Sequence, residues 1–97
     1  GPLEDDKLSP VLPAGTKINK VSLKDGICYV DFSKEFLEGR DGVSDDAIVY
    51  SVVNSLSDIG NVSKVQFWID GKPVSSYRET VPIDLPIERK LDIIAED

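Results

Sequence analysis

The sequence predicts a small α/β domain, a two-layer β-β-α-β arrangement with a three-stranded mixed sheet and one main helix packed on one face. Three observations lead there. Two Asp-Gly pairs, Asp25-Gly26 and Asp70-Gly71, punctuate runs rich in β-branched and aromatic residues. A single stretch, residues 44–59, repeats its apolar residues with a helical period. The chain has 97 residues, 40% hydrophobic and 30% charged, enough for one domain around one core and no more.

Residues 1–15 hold Pro2, Pro10, Pro13 and Gly15 among charges and read as an extended lead-in. Residues 16–24 read as a strand in which Val21 and Leu23 alternate with Lys20, Ser22 and Lys24. Asp25-Gly26 is a type I′ hairpin signal, because both central positions of that turn need φ > 0. The return strand ICYVDF, residues 27–32, has Cys28, Val30 and Phe32 on one face and Ile27, Tyr29 and Asp31 on the other. Residues 33–37 can close one helical turn before Gly39. Ser44 is then a helix N-cap, and Asp45 and Asp46 complement the helix dipole in the first turn. Ile48, Val49, Val52, Val53, Leu56 and Ile59 form the apolar stripe, and Gly60 ends the helix. Residues 64–69, KVQFWI, make the third strand, followed by the Asp70-Gly71 turn and a return segment that Pro73 confines to an edge. Pro82 and Pro86 make residues 81–87 extended and irregular, and residues 88–94 read equally as a short helix or a strand. The division is a lead-in over 1–15, a core over 16–75 and a C-terminal extension over 76–97.

A helix joining the second and third strands makes them parallel, with a right-handed crossover. The hairpin makes the first and second antiparallel. The simplest sheet then places the first strand in the middle. The helix is expected over Val21, Leu23, Cys28, Val30, Phe32, Val65, Phe67 and Ile69.

Several functions are excluded on composition. The net charge is −7, which repels a phosphate backbone and an anionic lipid surface, so neither nucleic acid nor direct membrane insertion is expected. There is no histidine, which removes the commonest general base and metal ligand, and a lone cysteine cannot form an internal disulfide. No apolar run approaches the roughly 18 residues of a membrane span. No catalytic, cofactor-binding or metal-binding residues are assigned.

The strongest candidate surface is the sheet face opposite the helix, where Ile18, Ile27, Tyr29, Gln66 and Trp68 are expected to project. An exposed aromatic patch marks an interface unless another segment of the chain, such as one bearing Leu91, Ile93 and Ile94, covers it. Cys28 alternates inward with Val30 and Phe32 and reads as a small buried hydrophobe. The acidic loop Asp41 to Asp46 lacks the spacing of an EF-hand, and helix capping accounts for Ser44, Asp45 and Asp46. The carboxylate pairs Asp31 with Glu35 and Asp70 with Glu79 lack room for a cleft, and Asp31 is better read as organising the turn at its strand end.

One combination of motifs is more specific than any of its parts. Leu12-Pro13-Ala14-Gly15-Thr16 is followed by Lys24-Asp25-Gly26-Ile27-Cys28-Tyr29-Val30-Asp31-Phe32-Ser33. A helix with Val52-Val53-Asn54-Ser55-Leu56 and then Val65-Gln66-Phe67-Trp68-Ile69-Asp70-Gly71-Lys72-Pro73-Val74 complete the set. Over roughly residues 10–75 this resembles the GerMN domain of the sporulation and spore-germination GerM proteins. The resemblance implies a ring-building-motif-like fold without known chemistry. It also implies an extracytoplasmic location in spore-forming or other Gram-positive bacteria, often on a lipoprotein. Gly1-Pro2 reads either as a cleavage scar or as the native pair that follows a helix in the family. The expected function is a non-catalytic protein-interaction or assembly module of the cell envelope. Its partners are other envelope or sporulation proteins, or a second copy of the chain. Two alternatives are a sensor that binds a cell-wall fragment or small germinant on Tyr29, Gln66 and Trp68, and a structural spacer.

Overall fold

Asp25 and Gly26 take φ of +54° and +81°, the left-handed pair that a type I′ turn demands. They join β1 (Ile18–Lys24) to β2 (Ile27–Phe32) as an antiparallel hairpin. The computed structural model describes residues 12–89. The expectations for Gly1-Pro2, for most of the lead-in and for Leu91, Ile93 and Ile94 lie outside the described residues.

After β2 a 3-10 turn, Lys34–Glu38, carries Phe36 into the core, and Gly39 at φ +73° turns the chain away. Helix α1 (Asp45–Ser57) starts as expected, with the Ser44 hydroxyl accepting from the Ala47 amide at 3.1 Å. It stops two residues short of the expected end, leaving Ile59 outside the helix and exposed. β3 (Lys64–Ile69) pairs parallel with β2 over its whole length, from Ile27 opposite Lys64 to Phe32 opposite Ile69.

The sheet order corrects one expectation. β2 is central, between β1 and β3, whereas β1 was expected in the middle. The reason is polarity: β1 is INKVSLK, and six of its seven residues are exposed, while β2 buries Cys28, Val30 and Phe32. A strand this polar is stable only at an edge. The sheet also has five strands, not three. β4 (Lys72–Pro73) and β7 (Ile87–Glu88) both pair antiparallel with β3. A separate ribbon joins β5 (Ser76–Tyr77) to β6 (Val81–Pro82).

α1 covers β2 and β3 and leaves β1 uncovered. Val30, Phe32, Ile48, Val49, Val52, Val53, Val65 and Phe67 are fully buried between helix and sheet. Burial of such side chains contributes about 1.5–3 kcal/mol each. Val21 and Leu23 point to the same face but remain 38% and 51% exposed, so they are not core residues as expected. Phe36 sits at the centre of an aromatic cluster, stacked on Phe32 at 4.4 Å and on Phe67 at 5.7 Å, and tilted against Tyr77 at 4.9 Å. Tyr77, Val81 and Ile83 belong to the same core, so the chain after residue 75 contributes part of the interior.

Candidate interaction face

Two carboxylates at one end of the sheet have structural partners. Asp31, next to last in β2, accepts a hydrogen bond from the Gly71 amide at 2.9 Å, so it organises the β3–β4 turn and not, as expected, the turn that follows its own strand. Asp70 lies in that turn at φ +49° and accepts from the Asn19 amide side chain at 3.5 Å. Asp45 faces Arg78 at 3.7 Å and accepts from the Thr80 hydroxyl at 2.7 Å, so it ties the helix start to the β5–β6 turn. Arg78 also donates to the Glu38 carbonyl. Cys28 is buried, in line with its reading as a small hydrophobe. Glu35 is held below the usual carboxylate range, first by its hydrogen bond with Ser33. Among the described residues no cluster of three or more His, Cys, Asp or Glu side chains could hold a metal ion.

The sheet face opposite α1 is built from alternate residues of three strands. The β1–β2 register sets Lys20 against Asp31, Ser22 against Tyr29 and Lys24 against Ile27. The β2–β3 register adds Lys64 beside Ile27, Gln66 beside Tyr29 and Trp68 beside Asp31. Tyr29 and Trp68 are half-buried and line an open groove of about 460 Å³, with Lys20, Ser22, Lys24 and Asp31 around them. An aromatic floor inside a lysine border can take an apolar group flanked by negative charge.

Of the five residues expected on this face, Ile27, Tyr29 and Trp68 are there. Ile18 is not. The register shifts between Ile18 and Lys20, which sets Ile18 opposite Phe32 and turns it to the helix side, where it packs against the core. Gln66 belongs to this face by register but is 8% exposed. Its amide donates to the Ile83 carbonyl at 3.3 Å and fastens the chain before β7. Lys20, Ser22 and Lys24 were not singled out as site residues. Their alternation, once set in hairpin register against Tyr29, is the signal that places them around the groove.

The family comparison decides the relationship. The model of a family described as "Germane: Sporulation and spore germination" matches residues 1–75. The chain belongs to the GerMN family of sporulation and spore germination. This GerMN domain is similar to the first GerMN domain of the sporulation protein GerM from Bacillus subtilis. Identity is 32%, TM-score 0.70, with 81% of this chain and 59% of that one covered. It is also similar to the tandem GerMN domains of the same protein, at 32% identity and TM-score 0.65, covering 84% of this chain and 27% of that one. A chain from Clostridium perfringens designated a lipoprotein shares the fold, with 23% identity and TM-score 0.72 over 79% of this chain and 52% of that one. The chain thus spans less than two thirds of each of these three solved chains. A search of curated proteins gives no match. The GerMN match stops at residue 75, yet Tyr77, Val81 and Ile83 complete the core of the domain.

Proposed function

We propose that this GerMN domain is a non-catalytic interaction and assembly module of the bacterial cell envelope in sporulation or germination. The observation that carries the reading is the groove itself: Tyr29 and Trp68, half-exposed and bordered by Lys20 and Lys24, on the side of the sheet away from α1. Aromatic side chains in such a setting are favoured contact residues. Lys20 and Lys24 at the groove border favour an acidic segment of a partner protein. The family's tie to sporulation supplies the process. No helix among the described residues is long and apolar enough to cross a membrane. That fits a domain held at the envelope by another part of its parent protein, and the fold shared with a chain designated a lipoprotein supports an extracytoplasmic, lipid-anchored parent.

The side chains described favour no reaction. The carboxylates described above are engaged in turns and caps, and the sole thiol is buried with no imidazole in the chain. The test is a Tyr29→Ala/Trp68→Ala variant of the full-length protein in its own spore-forming host. Heat-resistant spore counts should fall by at least about tenfold while immunoblots show a normal protein level, the loss expected when hot-spot aromatics are removed. Normal spore counts at normal protein level contradict the reading. Quenching or a shift of Trp68 fluorescence by purified peptidoglycan fragments would instead favour the sensor alternative.

A further inference from the structure

The outer edge of β1 is a second surface with its own recognition chemistry. Among the described residues no strand pairs with it, since β1 ends the strand order. The hydrogen-bond pattern fixes which of its backbone groups are turned outward. In a two-residue hairpin the closing pair, here Lys24 and Ile27, exchanges both hydrogen bonds, and the pairs alternate from there. Lys20, Ser22 and Lys24 therefore bond to β2, while the amides and carbonyls of Val21 and Leu23 face away from it. β3 checks the alternation independently. The Gly26 carbonyl accepts from the Lys64 amide at 3.2 Å and the Phe32 carbonyl from the Asp70 amide at 2.8 Å. Even-numbered β2 residues thus serve β3, leaving the odd-numbered ones for β1.

Val21 and Leu23 also carry the exposed apolar side chains of the strand, at 38% and 51%. The edge from 20 to 24 accordingly offers backbone groups that no described residue pairs with, two apolar side chains on the helix side and two lysines on the groove side. The register shift between Ile18 and Lys20 limits a regular added strand to these five residues.

We propose that the outer edge of β1 accepts an extended segment of another protein as an added strand, with acidic residues opposite Lys20 and Lys24 and apolar residues opposite Val21 and Leu23. This rests on the reading of the domain as an interaction module but uses the outward backbone groups of β1, and it shares with the Tyr29/Trp68 groove only the border residues Lys20, Ser22 and Lys24. Charge decides the occupant. A second copy added antiparallel in the register that pairs all five residues sets Lys20 opposite Lys24 twice. Like charges directly opposite destabilise a pair of strands, whereas opposite charges stabilise it. The lysines block self-pairing, as they do on many edge strands, and leave the edge open to an acidic strand.

The probe is a synthetic peptide with the palindromic core Glu-Val-Thr-Val-Glu, which presents the matching pattern in either strand direction. Added to the isotope-labelled chain, it should slow amide hydrogen exchange at Val21 and Leu23 by tenfold or more at saturation. The same peptide N-methylated at both valines, the threonine and the second glutamate should not, because an antiparallel strand turns the two valine amides to β1 and a parallel strand turns those of the threonine and the second glutamate. Val21→Pro removes one outward donor without touching the β1–β2 bonds, and Lys20→Glu/Lys24→Glu reverses the charge without touching the backbone. Each should weaken peptide binding by about tenfold or more, on the scale expected for several small cross-strand terms lost together. Equal binding of the N-methylated peptide, or of a Lys-Val-Thr-Val-Lys control, overturns the proposal. So does exchange at Val21 and Leu23 that is already slow without peptide. If that slowness is independent of concentration, the chain's own residues, such as the acidic Glu4-Asp5-Asp6 run, occupy the edge; if it grows with concentration, a second copy does. A Trp68→Ala variant separates the two surfaces. The edge proposal expects it to bind the peptide normally, and loss of Val21 and Leu23 protection in that variant counts against a separate edge site. Failure of the peptide beside a sporulation defect in the Tyr29→Ala/Trp68→Ala variant removes the edge and leaves the groove.

Discussion

Removing the chain beyond Ser75, where the family match ends, should unfold the domain. That segment delivers Tyr77, Val81 and Ile83 to the interior, with exposures of 0%, 3% and 0%. The two aliphatic side chains contribute about 1.5–3 kcal/mol each on burial. Tyr77 contributes more, because its ring packs on Phe36 and its hydroxyl donates to the Phe36 carbonyl at 2.6 Å. Truncating an aromatic core residue to alanine costs about 3–5 kcal/mol. Together these losses are of the order of 6–11 kcal/mol. A domain of this size has a total stability of about 5–15 kcal/mol, so the truncated chain has little or none left. Single substitutions resolve the contribution. Tyr77→Ala should lower stability by about 3–5 kcal/mol. Tyr77→Phe should lower it by about 1–2 kcal/mol, through the lost hydroxyl bond alone, and the melting temperature by roughly 4–16 °C. Urea denaturation followed by the single tryptophan, Trp68, measures all three. A chain ending at Ser75 that unfolds cooperatively at the wild-type midpoint refutes the reasoning.

Gly39→Ala should cost about 1–3 kcal/mol, because φ is +73° there and the added methyl would overlap the Arg78 guanidinium; Arg78→Ala in the same background should recover only the steric part of the loss. The Tyr77 hydroxyl is pushed up to about 12, first by burial and then by the nearby Asp45 carboxylate. Its folded-state value exceeds the unfolded one near 10, so the unfolded chain releases the proton first. The stabilisation is fully present below about pH 10 and is lost as pH rises towards 12. Wild type should therefore lose more stability than Tyr77→Phe across that window, and parallel pH profiles for the two would contradict the assignment.

Local chemistry was legible in the sequence, and long-range choices were less so. Asp25-Gly26 specified its turn, Ser44 its helix start, and ICYVDF and KVQFWI their strands, because each signal is contained within a few residues. The sheet order was not contained in any of them. A hairpin plus a helical crossover allows the third strand beside either the first or the second. The deciding signal was the polarity of INKVSLK against ICYVDF, which marks β1 as the edge. Ile18 moved to the helix side through a register shift that no pattern in β1 announces. Gln66 looked open by alternation, but its amide is used by the Ile83 carbonyl 17 residues away. Pro82 and Pro86 suggested irregular chain, and the strands there are indeed only two residues long. Yet Tyr77, Val81 and Ile83 between and around them were an apolar pattern that the prolines obscured.

A photo-crosslinking residue placed at position 22, at the border of the groove beside Tyr29, in the full-length protein in sporulating cells tests the contact face most directly, with position 46 on the exposed side of α1 as the control. Groove-mediated docking predicts one discrete adduct from position 22 with another envelope protein, lost in the Tyr29→Ala/Trp68→Ala background, and none from position 46. No adduct from position 22, or the same adduct from both positions, contradicts it.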